Sequence, residues 1–330
     1  NLIASQSRAV VDDYSAFPLG CSTIGVCQVT GLGNTFDPNG NYDIYDYRSP
    51  NDTYVTNQFK AGLNGKFDTG TWLHTVSLEL SQTYKRHAQY KSTNSMVWVG
   101  TGNIYSNSAT YSPTTATLGK HYKSLESQQT ALNLLDQIDF NAAWSVLVGG
   151  KLLHLNENAY DADGNNIRDT HFNRFLPQLA LMYQPWEHTH VYVSYVKGLS
   201  DGGQAPWYAT GNSAKGIEGN AYETLAPVHS TQYELGIKQQ WQALLFTAAI
   251  FDLKQDNQYN NSDNYFLTEG EQHNLGLELG LQGRLTQNLD MTSTLALTRS
   301  RLTGTQTAEY QGHQTQNVPT LRFASHLSYQ

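Results

Sequence analysis

The chain has 330 residues, of which only 15% are Asp, Glu, Lys or Arg and 39% are apolar, against about 25% and roughly 45–50% in an ordinary soluble domain. It holds no run of about 18 apolar residues, which excludes a transmembrane helix, and the 12% of aromatic residues together with the low charge exclude a disordered chain. A formal net charge of -8 and the lack of any Lys/Arg cluster argue against a nucleic-acid-binding protein.

Two cysteines lie close together near the start of the chain, as Cys21 and Cys27 in CSTIGVC. One close pair in an otherwise cysteine-free chain indicates an oxidising compartment, in which the two thiols would form a small loop disulfide. Two free thiols are the alternative. Because residue 1 is Asn and no signal segment opens the chain, we expect a mature chain or a fragment.

The apolar pattern repeats every two residues, which predicts β-strands rather than helices. Apolar or small residues alternate with polar ones from Phe59 to Phe67, and leucines alternate with Gly, Glu, Gln and Arg from Leu275 to Leu285. The sequence predicts eleven strands, with residues 1–11 as a candidate twelfth. The eleven are 53–68, 72–90, 123–140, 144–156, 173–185, 190–200, 230–240, 244–258, 270–285, 289–304 and 319–330.

The connections alternate between short turns and long polar stretches. The short turns lie at 68–71, 141–143, 185–189, 240–243 and 286–288. The long stretches lie at about 12–52, 91–122, 157–172, 201–229, 259–269 and 305–317. Short turns at one end and long loops at the other predict an up-and-down antiparallel sheet.

Each strand has two chemically different faces. Trp72, Trp144, Trp186 and Trp241 all lie beside short turns, as an interfacial aromatic girdle requires; tryptophans in the core of a soluble sandwich are the alternative. The opposite face needs water or a polar filling, because charges recur on it, at Lys60, Lys66, Glu79, Glu234, Lys238, Glu278 and Arg284. Since lipid requires every backbone group to be paired, this pattern predicts a closed transmembrane barrel.

Seven segments carry a family resemblance, in this order: FKAGLNGKFDTG, LPQLALMYQP, VYVSYVKGLSDGGQAP, LAPVHSTQYELGIK, AAIFDLKQDN, GEQHNLGLELGLQGRL and NVPTLRFASHLSY. Over about residues 53–330 the chain resembles the TonB-dependent outer-membrane siderophore receptors, of the ferrichrome-receptor-like kind. The resemblance implies an all-β barrel of about 22 strands with a globular plug inside it. Residues 1–330 contain no plug, no energy-coupling box and no final strands of this pattern, so we expect these parts to lie outside this sequence.

The chain therefore looks like the middle of a receptor, about strands 7–18, with residues 1–330 forming one partial barrel domain whose long stretches are extracellular loops. The resemblance implies a protein of the bacterial outer membrane that contacts its lipid and is neither an enzyme nor dependent on a cofactor. Its ligand would be a ferric siderophore, and energy would come from the TonB complex through the plug.

Receptors of this kind bind their ligand between extracellular loops and plug, and rings offer a bulky chelate large contact at low entropic cost. The candidates are aromatic residues in the long stretches or at their mouths. Trp207 and Tyr208, directly after GGQAP, form the best pair. Packing of the loops against one another is the alternative. The full set is Trp98, Tyr105, Tyr111, Trp207, Tyr208 and Tyr222.

Metal-binding patterns in the sequence are weak. His188 and His190 lack the third and fourth ligands of a zinc site. The Asp-rich segments that begin at Asp37 and Asp161 resemble calcium loops, but the glycine and glutamate of an EF-hand fall out of place. Turns built on the Asp side chains explain both segments better.

Two other classes of protein compete with a receptor. Up to twelve strands would allow a complete barrel that acts as a phospholipase-like enzyme or a pore, although Tyr329 is followed by Gln330 rather than ending the chain. A secreted β-sheet adhesin is the third interpretation, and the alternating leucines from Leu275 to Leu285 argue against water on that face.

Overall fold

The computed structural model describes residues 1–18, 36–37, 39–92, 97–106, 108–112, 118–206, 208–221, 223–305 and 308–329. Within this part the chain forms β-strands and one short 3-10 turn, Ser213–Lys215. The strands are β1 (Leu2–Pro18), β2 (Asn41–Thr69), β3 (Trp72–Ser92), β4 (Val97–Asn103), β5 (Ser108–Tyr111), β6 (Leu118–Asp139), β7 (Trp144–Tyr160), β8 (Asn166–Trp186), β9 (Thr189–Ser200), β10 (Gly211–Asn212), β11 (Ile217–Glu218), β12 (Val228–Trp241), β13 (Leu244–Asn260), β14 (Phe266–Thr286), β15 (Leu289–Thr303) and β16 (Leu321–Tyr329).

Twelve long strands form one antiparallel sheet in which each strand pairs with the long strand next in the chain. The order is β1-β2-β3-β6-β7-β8-β9-β12-β13-β14-β15-β16, while β4 and β5 extend the sheet beside β2, and β10 and β11 form a separate hairpin. All eleven predicted strands are present, and the candidate twelfth at 1–11 is β1. Among the described residues no pairing joins β1 to β16, so the sheet is an open part of a barrel.

The sheet has two ends that differ in their connections. We call the end with the tight connections 70–71, 140–143, 187–188, 242–243 and 287–288 the short-turn end. The opposite end, which includes 161–165, 201–227, 261–265 and 304–320, is the long-loop end. Several connections at this end are shorter than predicted, because β7, β8, β13 and β14 continue beyond the residues where the alternation of apolar side chains stops.

The predicted loop at 12–52 is partly strand. Residues Asp12 and Asp13 do not end β1; the register shifts there, between Val11 and Asp13, and pairing continues to Pro18. The Asp12 carboxylate accepts the backbone N–H of Asn51 at 2.6 Å, and Asn51 takes a positive φ of 56°. A β-bulge thus absorbs the two polar residues that the sequence pattern indicates as a loop.

Strand register places apolar side chains on one face, which we call the outer face. Leu63 lies opposite Leu78, Leu78 opposite Leu134, and far along the sheet Leu277 lies opposite Leu297. Leu63 exposes 71% of its surface. A continuous exposed apolar band of this extent fits lipid rather than water. In the described part of the chain, no helix is both long enough and apolar enough to cross a membrane.

The alternate residues form the inner face, which is polar. Gly62 lies opposite Glu79, and the Lys60 ammonium approaches the Glu79 carboxylate at 3.7 Å. Register confirms the predicted charged face, which carries Lys60, Lys66, Glu79, Glu234, Lys238, Glu278 and Arg284.

The four tryptophans lie at the short-turn end as predicted: Trp72 and Trp144 begin β3 and β7, and Trp186 and Trp241 end β8 and β12.

Candidate functional site

The segment between β9 and β12 folds over the inner face at the long-loop end. Directly after β9, the Asp201 carboxylate accepts a hydrogen bond from the Lys85 ammonium of β3 at 2.6 Å. Leu199 packs against a small apolar cluster on the inner face, formed by Ala131, Leu153 and Leu176. Three strands, β6, β7 and β8, separate β3 from β9, so these contacts require the sheet to be strongly curved.

The same segment is fixed to the β13–β14 hairpin. The side chain of buried Asn220 pairs with the backbone of Phe266 as a neighbouring strand would. Its amide N–H donates to the Phe266 carbonyl at 2.7 Å, and its oxygen accepts the Phe266 N–H at 2.9 Å. The Asp263 carboxylate accepts Lys215 at 2.7 Å and Asn212 at 2.9 Å. These hydrogen bonds, first that of Lys215, lower the pKa of Asp263. Hydrogen bonds therefore hold the segment between β9 and β12 in a defined conformation.

Three tips at the long-loop end use one local hydrogen-bonding pattern. In 161–165 the Asp161 carboxylate accepts the N–H groups of Asp163 and Asn165 and the side chain of Asn165, at 2.8–2.9 Å. These hydrogen bonds lower the pKa of Asp161, and the bond from the Asn165 side chain has the largest effect. Segments 37–41 and 261–265 repeat the backbone part of the pattern. The side-chain turns that the sequence predicts at Asp37 and Asp161 are confirmed.

No group of three or more His, Cys, Asp or Glu side chains that could hold a metal ion occurs within the described ranges. His188 lies in a short turn with a positive φ of 72° and its Nε2 lies 3.6 Å from a Glu187 oxygen. His190 lines an open cavity of about 900 Å³ on the inner face at the short-turn end, together with Asp139 and Lys238.

Three of the aromatic candidates lie on the small sheet made by β2, β4 and β5. The Trp98 indole N–H donates to the fully buried Asp43 carboxylate at 3.0 Å, while its ring stays partly exposed. Tyr111 ends β5 opposite Gly100 and is half exposed. Tyr105, 76% exposed, follows β4 and its ring lies against Gly40. These three side chains stand at the long-loop end, where the sequence predicts them.

Tyr208 is the described candidate on the other element, the segment between β9 and β12. Its ring is half exposed, and its neighbour Ala209 is fully buried, which fixes the backbone beneath it. Trp207 and Tyr222 lie outside the described residues, as do Cys21 and Cys27. The structure thus places four of the six aromatic candidates, in two groups on separate elements.

One stacked pair on the inner face, exposed Arg174 and partly buried Phe172, is absent from the sequence prediction. The Arg174 guanidinium lies over the Phe172 ring, 4.9 Å from its centroid, and the Phe172 ring lies 6.3 Å from the ring of His229. Phe172 and Arg174 are two positions apart on β8 and so share a face. The spacing in HFNRFL is the signal that could have found them, but only register shows which face they occupy.

His87 is a buried titratable group at the long-loop end. It lies beyond the first 9–11 or so residues of β3, the number that a crossing strand needs. Its Nδ1 is 2.8 Å from the Ser124 hydroxyl, its ring stacks on Tyr54 at 4.2 Å, and Nε2 has no hydrogen-bond partner. Burial lowers the pKa of His87, against a smaller opposing effect from the Asp52 charge.

We expect His87 to make the protein less stable in acid. Because its folded pKa is lowered, its stabilising contribution is complete above the unfolded pKa of about 6.5 and is lost as the pH falls from there through the folded pKa. The check is the free energy of unfolding measured against pH for the natural protein and for His87→Gln. The difference between the two should shrink or reverse below about pH 6.5; parallel curves would contradict the assignment.

Comparison with known proteins gives a family and a fold. A family model described as "TonB dependent receptor-like, beta-barrel" matches residues 20–330. Ferrichrome receptor FcuA of Yersinia enterocolitica is 27% identical over 234 residues, which cover 68% of this chain and 29% of that protein. Probable TonB-dependent siderophore receptor PiuA of Acinetobacter baumannii is 26% identical over 300 residues, covering 79% and 39%. The chain thus spans well under half the length of these relatives.

Solved structures show the same fold. The ferric preacinetobactin receptor BauA of Acinetobacter baumannii superimposes with a TM-score of 0.74 at 19% identity, over 99% of this chain and 46% of that one. The ferric-catecholate import receptor Fiu of E. coli gives a TM-score of 0.74 at 18% identity, over 100% and 48%. At these identities the likeness concerns the fold alone, and it shows that the open sheet is part of a larger barrel.

Proposed function

This chain belongs to the TonB-dependent receptor β-barrel family of the bacterial outer membrane, and on that premise we propose that it binds a ferric siderophore and takes part in its import. The observation that carries the proposal is the two-faced sheet: an apolar outer face that fits lipid, a polar inner face, and a structured long-loop end over the inner face. Two relatives whose names state a ferrichrome or siderophore receptor support the cargo class.

In this proposal the long-loop end faces the cell exterior and supplies the ligand surface. The aromatic residues Trp98, Tyr105, Tyr111, Trp207, Tyr208 and Tyr222 contact the chelate there. The exposed rings of Trp98, Tyr105, Tyr111 and Tyr208 suit this role, because aromatic side chains offer contact area and lose little entropy on binding. The siderophore itself fills the coordination positions of the iron, so the protein needs no metal ligands of its own.

Energy for import would come from the TonB complex, which reaches the barrel through a plug domain. The relatives named as TonB-dependent support this partner. The alternative of an enzyme or a simple pore has no support, because the relatives are transport receptors. The adhesin interpretation does not fit the exposed apolar outer face.

Deletion of the gene tests the cargo class. Iron-limited cells that lack it should fail to grow on at least one member of a panel of ferric siderophores that supports the parent strain. Growth restored by the natural gene would link the defect to this protein. Unchanged growth and uptake for every chelate in a panel of hydroxamates, catecholates and mixed types would refute the proposal.

Replacing Trp207 and Tyr208 together by Ala is expected to weaken chelate binding by about tenfold or more, since aromatic anchors at the centre of an interface commonly contribute about 2 kcal/mol. Binding is measured as the amount of ferric chelate that isolated outer membranes retain. Tyr233→Ala is the matched control, because Tyr233 is an exposed aromatic residue on the outer face. Equal affinity of the double variant and the control would contradict the assignment of Trp207 and Tyr208 as ligand contacts.

A further inference from the structure

The segment between β9 and β12 is narrow at its base, where its two ends run side by side. The Ala205 N–H donates to the Glu223 carbonyl at 2.7 Å. The Leu225 N–H donates to the Gly203 carbonyl at 2.9 Å. A Cβ at Gly202 would lie 2.0 Å from the Leu225 carbonyl oxygen, so the two ends approach as closely as only glycine allows. We call this base, residues 202–205 and 223–226, the neck.

One side chain of β13 joins the two sides of the neck. The side-chain oxygen of Gln258 accepts the Gly203 N–H at 2.6 Å, and its amide nitrogen donates to the Ala226 carbonyl at 3.2 Å. The same nitrogen donates to the hydroxyl of Thr268, its partner on β14, at 3.0 Å. A glutamine amide has one oxygen and two N–H groups, so all of these groups are engaged within the protein. Gln258 is therefore placed to hold the neck rather than to bind a ligand.

Gln258 lies beside a β-bulge. The register of β13 and β14 shifts between Asp256 and Gln258. At this shift β14 has two residues, Glu269 and Gly270, where β13 has only Asn257, and Gly270 has a positive φ of 70°. A bulge bends the paired strands and redirects the side chains beside it. The bulge therefore accounts for a strand side chain that reaches a neighbouring loop.

The neck carries part of the surface that the proposed function assigns to the ligand. Half-exposed Tyr208 lies three positions after the first side of the neck. The tip of the segment is held separately on the β13–β14 hairpin. There the Gly211 N–H donates to the Asn264 carbonyl at 2.9 Å, and Asn220 pairs with Phe266. Loss of the contacts of Gln258 would therefore loosen the base of the segment and displace Tyr208, while the tip stays attached.

We propose that Gln258 is a positioning residue for chelate binding: it joins the two sides of the neck and so holds the segment in the conformation that binds, without touching the chelate. This inference rests on the proposed function. Loss of a residue that preorganises a binding surface lowers the fraction of molecules that are competent to bind, and the association rate falls with that fraction. Loss of a residue that contacts the ligand mainly raises the dissociation rate. The two rates therefore distinguish a positioning residue from a contact residue.

The test measures both rates on the natural outer-membrane protein. The probes are ferrichrome, ferric enterobactin and ferric pyoverdine, and the one that binds most tightly is used for every variant. Gln258→Ala should lower the association rate about three- to tenfold, the effect of one net hydrogen bond, and leave the dissociation rate within about twofold. Gln258→Glu keeps the acceptor for Gly203 and loses the donor to Ala226, so its association rate should lie between the two. Gln128→Ala is the matched control and should change neither rate, because Gln128 is an exposed glutamine on the outer face of β6.

Hydrogen exchange gives a second measurement that needs no chelate. The N–H groups of Ala205 and Leu225 should exchange about three- to tenfold faster in Gln258→Ala than in the natural protein, because the neck opens more often. The N–H of Leu277, which lies between two paired strands, should exchange equally in both. Folding of each variant is checked by its resistance to unfolding in detergent before heating.

The outcomes separate this inference from the function beneath it. An unchanged association rate in Gln258→Ala would overturn the positioning role, even if the neck exchanges faster, and would leave siderophore binding standing. A raised dissociation rate at an unchanged association rate would make Gln258 a contact residue and would overturn the positioning role as well. Failure of the natural protein to bind any of the three chelates would remove the proposed function itself, and the role of Gln258 in binding with it.

Discussion

Replacing Leu63 by Arg is expected to destabilise the folded protein by about 2–4 kcal/mol, the cost of an arginine on the lipid face near the bilayer midplane. Leu63 lies opposite Leu78, which is six positions beyond the interfacial Trp72. At about 3.3 Å per residue and a tilt of about 35–45°, that places the pair about 15 Å from the short-turn interface. This is half of a hydrocarbon core about 30 Å thick.

The control for this variant is its neighbour. Asn64→Arg puts the same side chain one position along β2, on the inner face, and Asn64 is also exposed. It should cost little, because inner-face charges lie in water or against polar groups. The free energy of unfolding in lipid vesicles is measured for both. Equal effects of the two substitutions would show that the assignment of lipid and inner faces is wrong.

Gly149→Ala is expected to cost about 3 kcal/mol or more. A Cβ at this position would lie 2.0 Å from the carbonyl oxygen of Leu134 on the neighbouring strand, and the backbone has a φ of +155°. Forced overpacking costs roughly 1–3 kcal/mol, and an unfavourable backbone conformation adds about 1–3 kcal/mol. Strands β6 and β7 would have to separate at the point where they are paired.

Gly65→Ala is the matched control, because no atom lies within 4 Å of a Cβ built there and Gly65 is also inside a strand. It should be neutral or slightly stabilising, since alanine loses less conformational freedom than glycine on folding. Stability is read from unfolding in urea. If the two alanine variants are equally stable, the close approach of β6 and β7 at Gly149 is not a constraint.

Much of the fold could be predicted because it depends on local alternation. The face occupied by Leu63, Leu277 and Leu297 can be predicted from the residues two positions away, most of which are also apolar or small. Lipid on one side of the sheet makes this alternation regular. The alternation fails where water or other loops lie on both sides, beyond the membrane. There β7 and β8 nevertheless continue, and only the five residues 161–165 connect them. Likewise β1 stays in the sheet beyond Asp12, whose carboxylate accepts a hydrogen bond from the Asn51 N–H.

The site was less predictable because its contacts are distant in sequence. Aromatic residues in long stretches could be named, and Trp98, Tyr105, Tyr111 and Tyr208 do stand at the long-loop end. Asn220 carries no sequence signal for its pairing with Phe266, since either residue is ordinary in a loop. Arg174 and Phe172 were not predicted as a pair, because only the strand register shows that they occupy the inner face. Ligand contact of every named residue remains a prediction.

The chain order of the sheet bears on how the protein is assembled. Each long strand after β1 pairs with the long strand that precedes it, so the pairings join neighbouring parts of the chain and their entropic cost is small. The ion pair between Lys85 and Asp201 joins residues 116 positions apart and can form only after the intervening strands have curved. The sheet can therefore grow hairpin by hairpin, and the ligand-facing surface is completed last.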